Sequence, residues 1–470
     1  MSLDLTAPSN EKESDKEWNK KSISLVNSSN DNSIRFDIHS HTIFDQIRPV
    51  VSLLVKSIDA YSRSNGLRKR TRTPAEHDRF RTAVRLFVLN LYRAYLSGQD
   101  LAISLAKGTF RSGSRYANLY LTYRPYIAAY EGLSALGLIQ VTRRWSYTRV
   151  TGKGRTTRIA ATPKLIEMFD TEDFEEIVIG RAPNAETIIL RRDKKLVRRN
   201  KRLGINADTE PQIEYPDTPD TIRMRENLKR INAKLRDCGA SLLPGENAFW
   251  KCAERMAQKG ERGPLLCTQN HLHRVFNNGS FTDGGRLVGG WWQGVPREYR
   301  KFIYISDIPS IELDYASLHP TMLYHQRGLD VDGDPYAIDG LPRDVAKKLF
   351  NALVNGRSHF SQDTRRMVTD TGMSWDDAVS AVRERHPQIS DSLGSGAGVR
   401  LQRIDSDIAE DVLLTMLDQG ITCLPIHDSF IVQFCHEKAL RDAMQAAYGR
   451  QFQGWKIGIE RKPSILDGGG

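Results

Sequence analysis

Cysteine is scarce and unpaired. The five in this 470-residue chain (Cys238, Cys252, Cys267, Cys423 and Cys435) form no CxxC pair, and none has a histidine at zinc-finger spacing. That pattern excludes a disulfide framework and argues against a structural zinc; the thiols read as the reduced ones of a cytosolic protein. Long apolar runs are missing too. Val50–Val55 and Leu86–Leu91 fall far short of the ~20 residues that span a bilayer, and both read as buried helix faces, so no membrane partner is expected. The first residues hold no apolar segment followed by a small-residue cleavage site, which makes a cytoplasmic location the expectation (nucleoid-associated in a bacterium). Negative charge is in deficit, with 57 Asp and Glu against 68 Lys and Arg, a net charge of +11.

The excess positive charge is clustered. Arg191–Arg202 holds eight Arg or Lys against one Asp, and Arg68–Arg72 is nearly all basic. Such runs neutralise phosphates and gain from counterion release, although a solvated surface explains many of them. Residues 1–35, rich in Ser, Asn, Asp, Glu and Lys, cannot bury enough surface to offset ordering entropy and are expected to be a disordered tail.

Helical spacing follows, with Ile47, Val50, Val51, Leu54 and Ile58, then Phe80, Val84, Phe87, Val88 and Leu91. Asp100–Ala106 reads as a short helix. Pro125 opens a helix to about Leu136, which Gly137 ends. Leu138–Thr142 reads as a strand, Arg143–Arg155 as a basic turn and Thr156–Ala161 as the returning strand. This order resembles a winged helix-turn-helix, whose hairpin wing touches nucleic-acid backbone. Its candidate phosphate contacts are Arg143, Arg144, Arg149, Lys153, Arg155 and Arg158. Residues 171–240 read as a charged connector with a helix at Thr221–Arg236, either a clamp on nucleic acid or a solvated linker.

The chemistry concentrates later. Ser310-Ile-Glu-Leu-Asp314 reads as a buried strand ending in a carboxylate, followed by a helix opened by Ser317 and Pro320. A strand-end Asp beside a helix N-terminus suits a hard cation and a triphosphate. About a hundred residues on, Thr422-Cys-Leu-Pro-Ile-His427-Asp428-Ser429-Phe-Ile-Val-Gln-Phe434 reads as a β-hairpin with its carboxylate at the turn. Two-metal phosphoryl transfer needs carboxylates on ions ~3.5–4 Å apart, and two Asp residues on neighbouring strands meet that demand.

Asp314-Tyr-Ala-Ser-Leu-His-Pro resembles the first palm motif of family A and family B DNA polymerases. His427-Asp428-Ser429-Phe430 resembles the last palm motif of family A DNA polymerases and of single-subunit phage-type RNA polymerases. Between them, Arg343-x3-Lys347-x7-Asn355-Gly356 follows the spacing of the family A fingers helix, which sets Arg and Lys on one face. Leu401-Gln402-Arg403-Ile404 and the residues to Leu413 resemble a family A helix along the primer-template, with Asp405 and Asp407 as alternative helix caps. A Gly-rich segment with Arg286 resembles template-backbone loops, and a pair of tight turns would explain it equally.

The resemblance covers roughly residues 270–460 and implies an α+β, multidomain fold. It would comprise a helical winged-helix-like module (36–170), the connector (171–240) and a right-hand polymerase palm with short fingers (241–470). It implies Asp314 and Asp428 as catalytic ligands of two Mg2+ ions, with Mn2+ as a substitute. It also implies Arg343, Lys347, His319, Asn351, Asn355 and Gly356 around the incoming nucleotide. His427, Gln402, Arg403 and Arg286 would meet primer and template. Departures are Asn355 in place of the family Tyr, Asn351 in place of an aromatic, Ser429 where an acidic residue often follows the last Asp, and no exonuclease segment. The expected function is a template-directed DNA polymerase-like nucleotidyltransferase, suited to replication of a phage or mobile element. Its partners would be a DNA or RNA template, a primer and nucleoside triphosphates. A primase or single-subunit RNA polymerase of the same palm type is one alternative; a DNA-binding replication or regulatory protein with a degenerate palm is another.

Overall fold

The computed structural model describes residues 33–42, 45–110, 113–117, 121–148, 153–169, 179–203, 211–258, 269–356 and 362–468. They form a mixed α/β protein of two compact units. The first comprises Met1–Glu186, Leu242–His271 and Gly290–Arg300; the second comprises Thr187–Ser241, Leu272–Gly289 and Lys301–Gly470. The segment expected as a connector thus contributes, from Thr187 onward, to the body of the second unit. Among the described residues no helix is long and apolar enough to cross a membrane.

In the first unit, helices α1 (Ile47–Ser64), α2 (Pro74–Leu96) and α3 (Tyr123–Ala135) share one apolar core. Ile47, Val51, Leu54, Val55 and Ile58 of α1 are buried at helical spacing. A capping box of Thr73 and Glu76, with Pro74 in the first turn, starts α2. Gly132 lets α3 approach α1, since a Cβ there would meet Ile58 at 2.3 Å. Fully buried Asn90 satisfies its amide on Leu86 O at 2.8 Å and Asp37 O at 3.0 Å, tying the incoming chain to α2.

A four-stranded sheet covers this core in the order β1 (Ser33–Arg35), β3 (Asp100–Ile103), β7 (Thr157–Ala161), β4 (Ile139–Arg143). Two small antiparallel pairs form separate sheets: β2 (Ser40–His41) with β8 (Gly180–Arg181), and β5 (Ser146–Thr148) with β6 (Lys153–Arg155). Helix α4 (Pro163–Phe169) follows β7.

Two expectations are corrected here. Asp100–Ala106 is a strand at its start and not a helix, because Leu101 and Ile103 alternate inward while the chain pairs on both sides with β1 and β7. Over so few residues apolar spacing does not separate the two periods. The expected tail reached residue 35, yet Ser33–Arg35 is strand β1, parallel to β3; residues 1–32 lie outside the described residues.

In the second unit, β9 (Ile188–Leu190) runs parallel to β11 (Asn270–Phe276), which pairs with β12 (Gly284–Gly290). A basic helix, α5 (Lys194–Leu203), is followed by α6 (Pro219–Arg236), whose Thr218 caps the Thr221 amide at 3.2 Å. Helices α7 (Leu318–His325), α8 (Arg343–Val354), α9 (Gly398–Asp418) and α10 (Glu437–Gln451) follow, with α9 packed against α10.

That sheet runs β10 (Ala240–Leu242), β13 (Ile303–Ile305), β14 (Ile308–Tyr315), β16 (Ser429–Gln433), β15 (Leu424–Ile426), with β17 (Ile459–Arg461) also on β14. One edge of β14 is shared by β13 at its start and β17 at its end; β16 takes the other edge. This interior position explains why Ser310–Leu313 is a continuous buried run and not an alternating one. Helix α10 covers β14 and β16, burying Leu440, Ala443, Met444, Ala447 and Tyr448, and the Tyr315 hydroxyl donates to Met444 O at 2.6 Å.

Candidate active site

Strand pairing fixes the two aspartates. Asp314 lies opposite Ser429 in the antiparallel pair of β14 and β16. Ile426 lies opposite Ser429 in the hairpin of β15 and β16, so His427 and Asp428 form a two-residue turn. The Tyr315 amide donates to Asp428 O at 3.4 Å, closing the end of β14 onto that turn. The turn carries strain, with φ of 60° at His427, and so does the start of α7, with φ of 50° at Ser317. Left-handed non-glycine residues are uncommon and gather at functional sites. Both stand one to three residues from a candidate carboxylate.

On its other edge Asp314 lies opposite Glu460 of β17. Just beyond, the Lys462 amide donates to Glu312 O at 2.9 Å. The Lys462 ammonium then sits 2.7 Å from Asp314 Oδ2 and 2.9 Å from Glu460 Oε2. Two residues before Asp314, and so on the same face of the strand, Glu312 is buried and its Oε1 accepts from Ser429 Oγ at 2.7 Å. This end of the sheet carries Glu312, Asp314, Asp428 and Glu460, and the Lys462 ammonium touches two of them, Asp314 and Glu460.

Electrostatics follow from that gathering. Burial first, then the Asp428 charge, pushes the Asp314 carboxyl up to about 6, against the opposing pull of Lys462. Glu460 is held below the usual carboxylate range, chiefly by its hydrogen bond from Lys462 and further by the charges of Arg343 and Lys347. Burial works against the charge on Lys462, yet the hydrogen bonds to Asp314 and Glu460 raise it above its ordinary value.

Two cations of α8 act on the same region. Arg343 and Lys347 are exposed on one face of α8, 5.4 and 5.7 Å from the ring centroid of Tyr336. Tyr336 is buried and hydrogen-bonded to the Ser317 side chain, and burial, with the Asp428 charge, raises its hydroxyl. Arg343 also pairs with Asp334 at 2.6 Å.

The far end of α8 turns elsewhere: Asn355 Nδ2 donates to Asn351 O at 2.6 Å. Gly356 has φ of +59°, and a Cβ there would stand 2.6 Å from Gly396 N, so the backbone of 394–398 needs this glycine. Asn351, Asn355 and Gly356 are therefore engaged with their own helix and the start of α9.

His319, in the first turn of α7, has its Nε2 3.3 Å from Asp405 Oδ2, which also accepts from Arg286 Nη2 at 2.8 Å. Burial would raise Asp405, but the His319 hydrogen bond and the Arg286 charge outweigh it and hold the carboxyl low. Deeper in this cluster, fully buried Arg274 pairs with Glu410, with Asp407 at 2.9 Å, and with Gly285 O at 2.9 Å. Arg403 pairs with Asp407 and donates to Phe281 O at 2.9 Å. Gln402 is half-buried and its carbonyl accepts from Ser406 Oγ; His427 is exposed at the hairpin tip. Asp405 and Asp407 are interior to α9 and cap nothing.

In the first unit, Arg143 ends β4, Arg144 is exposed and Lys153 and Arg155 lie on β6. Arg149 lies outside the described residues. Arg158 was grouped with the phosphate contacts, yet it is buried at 8% exposure because β7 is an interior strand between β3 and β4.

Sequence reading missed Glu312, Tyr336, Glu460 and Lys462. Glu312 was reachable from its i, i+2 spacing to Asp314. The other three meet the aspartates only through long-range pairing that leaves no local pattern.

Among the described residues no three His, Cys, Asp or Glu side chains form a ready metal cage. Asp314 and Asp428 nevertheless fit Mg2+, which is commonly held by one or two carboxylates together with substrate phosphates. After burial, the Asp428 charge is the next cause that raises the Asp314 carboxyl, so the two carboxylates lie close enough to feel each other.

No protein-family model matches the sequence, and no curated protein matches it. Among solved structures the chain is similar to the POL domain of Pol1 from M. smegmatis in complex with DNA primer-template and dNTP. The identity is 12% and the TM-score 0.27, over 46% of this chain and 51% of that one, so the chain spans about half that structure's length. A likeness at that level carries no argument; the site stands on its own residues.

Proposed function

We propose that the second unit is the catalytic domain of a template-directed nucleic-acid polymerase, a DNA polymerase-like nucleotidyltransferase that works with two divalent cations. The observation that carries this reading is the strand register that sets Asp314 beside the His427-Asp428 turn, with the cations of α8 close enough to act on Glu460 of the same sheet end. Two bound Mg2+ or Mn2+ ions would neutralise charge on the attacking and leaving oxygens. Asp314 and Asp428 would hold them.

Arg343 and Lys347 are exposed, side by side and four residues apart, which suits the triphosphate of an incoming nucleotide. Arg343 must exchange Asp334 for phosphate. That pair is solvent-exposed, at 57% and 34%, so breaking it costs little. His319 would lie under the sugar, with Pro320 fixing the backbone behind it. Asn351, Asn355 and Gly356 would support α8 against α9. Arg286, Gln402, Arg403 and His427 would line the primer-template path, with the two arginines held in place by the acidic side chains of α9.

The first unit would recruit nucleic acid. Its order of helices, strand β3, helix α3, strand β4, hairpin and strand β7, with β7 between β3 and β4, supports a winged-helix reading. Exposed Arg144 and Trp145, the latter 66% exposed, sit at the root of its hairpin.

The test is primer extension by the full chain with Mg2+, on DNA and RNA templates, supplying dNTPs and NTPs separately. Template-dependent extension supports the proposal. Nucleic-acid binding without any extension would leave a binding protein with an inert palm.

A further inference from the structure

We propose that Lys462 is a built-in counter-cation of the carboxylate pair: its ammonium occupies Asp314 while no divalent ion is bound, and yields to the ion by shifting onto Glu460. The inference rests on the metal-carboxylate reading above and adds a competitor for the site.

The geometry carries it. Lys462 Nζ is shared between Asp314 Oδ2 at 2.7 Å and Glu460 Oε2 at 2.9 Å. Its side chain is only 12% exposed, so it is packed in place and not a sampled surface contact. The backbone is fixed by the hydrogen bond from the Lys462 amide to Glu312 O. The register sets Glu460 directly across from Asp314, so the two acceptors are neighbours and the ammonium needs only a small side-chain rotation to pass between them.

The acceptors differ in one respect. Asp314 is 23% exposed and Glu460 57%, so an ammonium held by Glu460 alone regains water while Asp314 is released. An ammonium and a divalent ion on the same carboxylate oxygen repel each other at hydrogen-bonding distance, which makes their occupancy competitive. Without the lysine, Asp314 and Glu460 would lose the ammonium they share. Lys462 is thus a positioning residue, keeping Asp314 aimed and the sheet end intact before the ion arrives.

The experiment measures Mn2+ binding to the full-length protein, by the paramagnetic resonance of free Mn2+, and thermal unfolding in EDTA and in Mn2+. The proteins compared are wild type, Lys462→Met, Lys462→Arg, Glu460→Gln and Asp314→Asn. With the competitor gone, Lys462→Met should bind Mn2+ roughly tenfold tighter, and its Tm should rise further on adding Mn2+ than wild type's does. Lys462→Arg should return affinity toward wild type. Glu460→Gln, which removes the second acceptor, should bind more weakly. Wild-type binding that Asp314→Asn abolishes, with Lys462→Met within twofold of wild type, would overturn the counter-cation alone. Should Lys462→Met fail to fold in EDTA, the Glu460→Gln result decides: affinity equal to or tighter than wild type overturns the proposal. No Asp314-dependent Mn2+ site in any of these proteins would remove the metal-carboxylate reading and the counter-cation with it.

Discussion

Asp314 joins an ordinary strand position to an unusual charge environment. Burial and Asp428 raise its folded-state pKa from 3.8 to about 6. The folded protein therefore binds an extra proton between those limits. The stability this group adds is fully present below pH 3.8 and is lost as pH rises through about 6. In EDTA at pH 8 the ionised carboxylate is a net cost, so Asp314→Asn should stabilise the metal-free protein there, by about 1–3 kcal/mol. The gain should shrink to nothing as pH falls below the lower limit. Unfolding curves across that range decide it, and a loss of stability at pH 8 would mean that the Lys462 contact outweighs burial and repulsion together.

His319 poses a second question at this scale. A bulky group under the sugar collides with a ribose 2′-OH and prevents in-line attack. Its Nε2 rests on Asp405, which Arg286 holds in turn, so it cannot move aside freely. The expected outcome is a dNTP preference in kcat/KM that falls several-fold in His319→Ala. A wild-type preference for NTPs that the substitution leaves unchanged would point to a primase or RNA polymerase.

Among the elements, helix α8 and the first unit's hairpin make separate demands. Arg343→Ala and Lys347→Ala, both on exposed positions, should leave stability within about 0.5 kcal/mol of wild type. Each should raise the KM for nucleotide or lower kcat/KM about tenfold or more. Unchanged nucleotide kinetics with weakened template binding would turn the helix toward the template. For the hairpin, Arg143→Ala with Arg144→Ala should weaken DNA binding by the full chain and flatten its salt dependence by about one unit per lost phosphate contact. Binding insensitive to that double substitution would assign the first unit to protein contacts.

The elements also show what was legible in the sequence. Helices α1 and α2 showed apolar residues at helical spacing, α3 a Pro start and a Gly stop, and α6 a charged run. All four are helices, with α3 beginning at Tyr123 and α6 at Pro219, each two residues before the expected start. Strands β14 and β16 were readable because each is a buried run beside a candidate carboxylate, Asp314 near the end of one and Asp428 just before the other. Asp100–Ile103 was not, since two alternating residues fit either period. The acidic side chains of α9 looked like caps, whereas pairing with Arg274, Arg286 and Arg403 places them mid-helix inside a charge network. Partners more than a hundred residues apart, such as Arg274 and Glu410, leave no trace in local spacing.

For the whole molecule, the division into two units also escaped a linear reading. The first unit takes residues from three separate stretches of chain, which no local spacing announces. The central claim nonetheless concentrates on two side chains. Single-turnover nucleotide addition should be measured for wild type, Asp314→Asn and Asp428→Asn with Mg2+ and a primed template, with template affinity and Tm recorded in parallel. Each substitution is expected to lower the rate by about a thousandfold or more while template affinity stays within a few-fold of wild type. Addition by either variant at the wild-type rate would contradict the assignment of this sheet end as the catalytic centre.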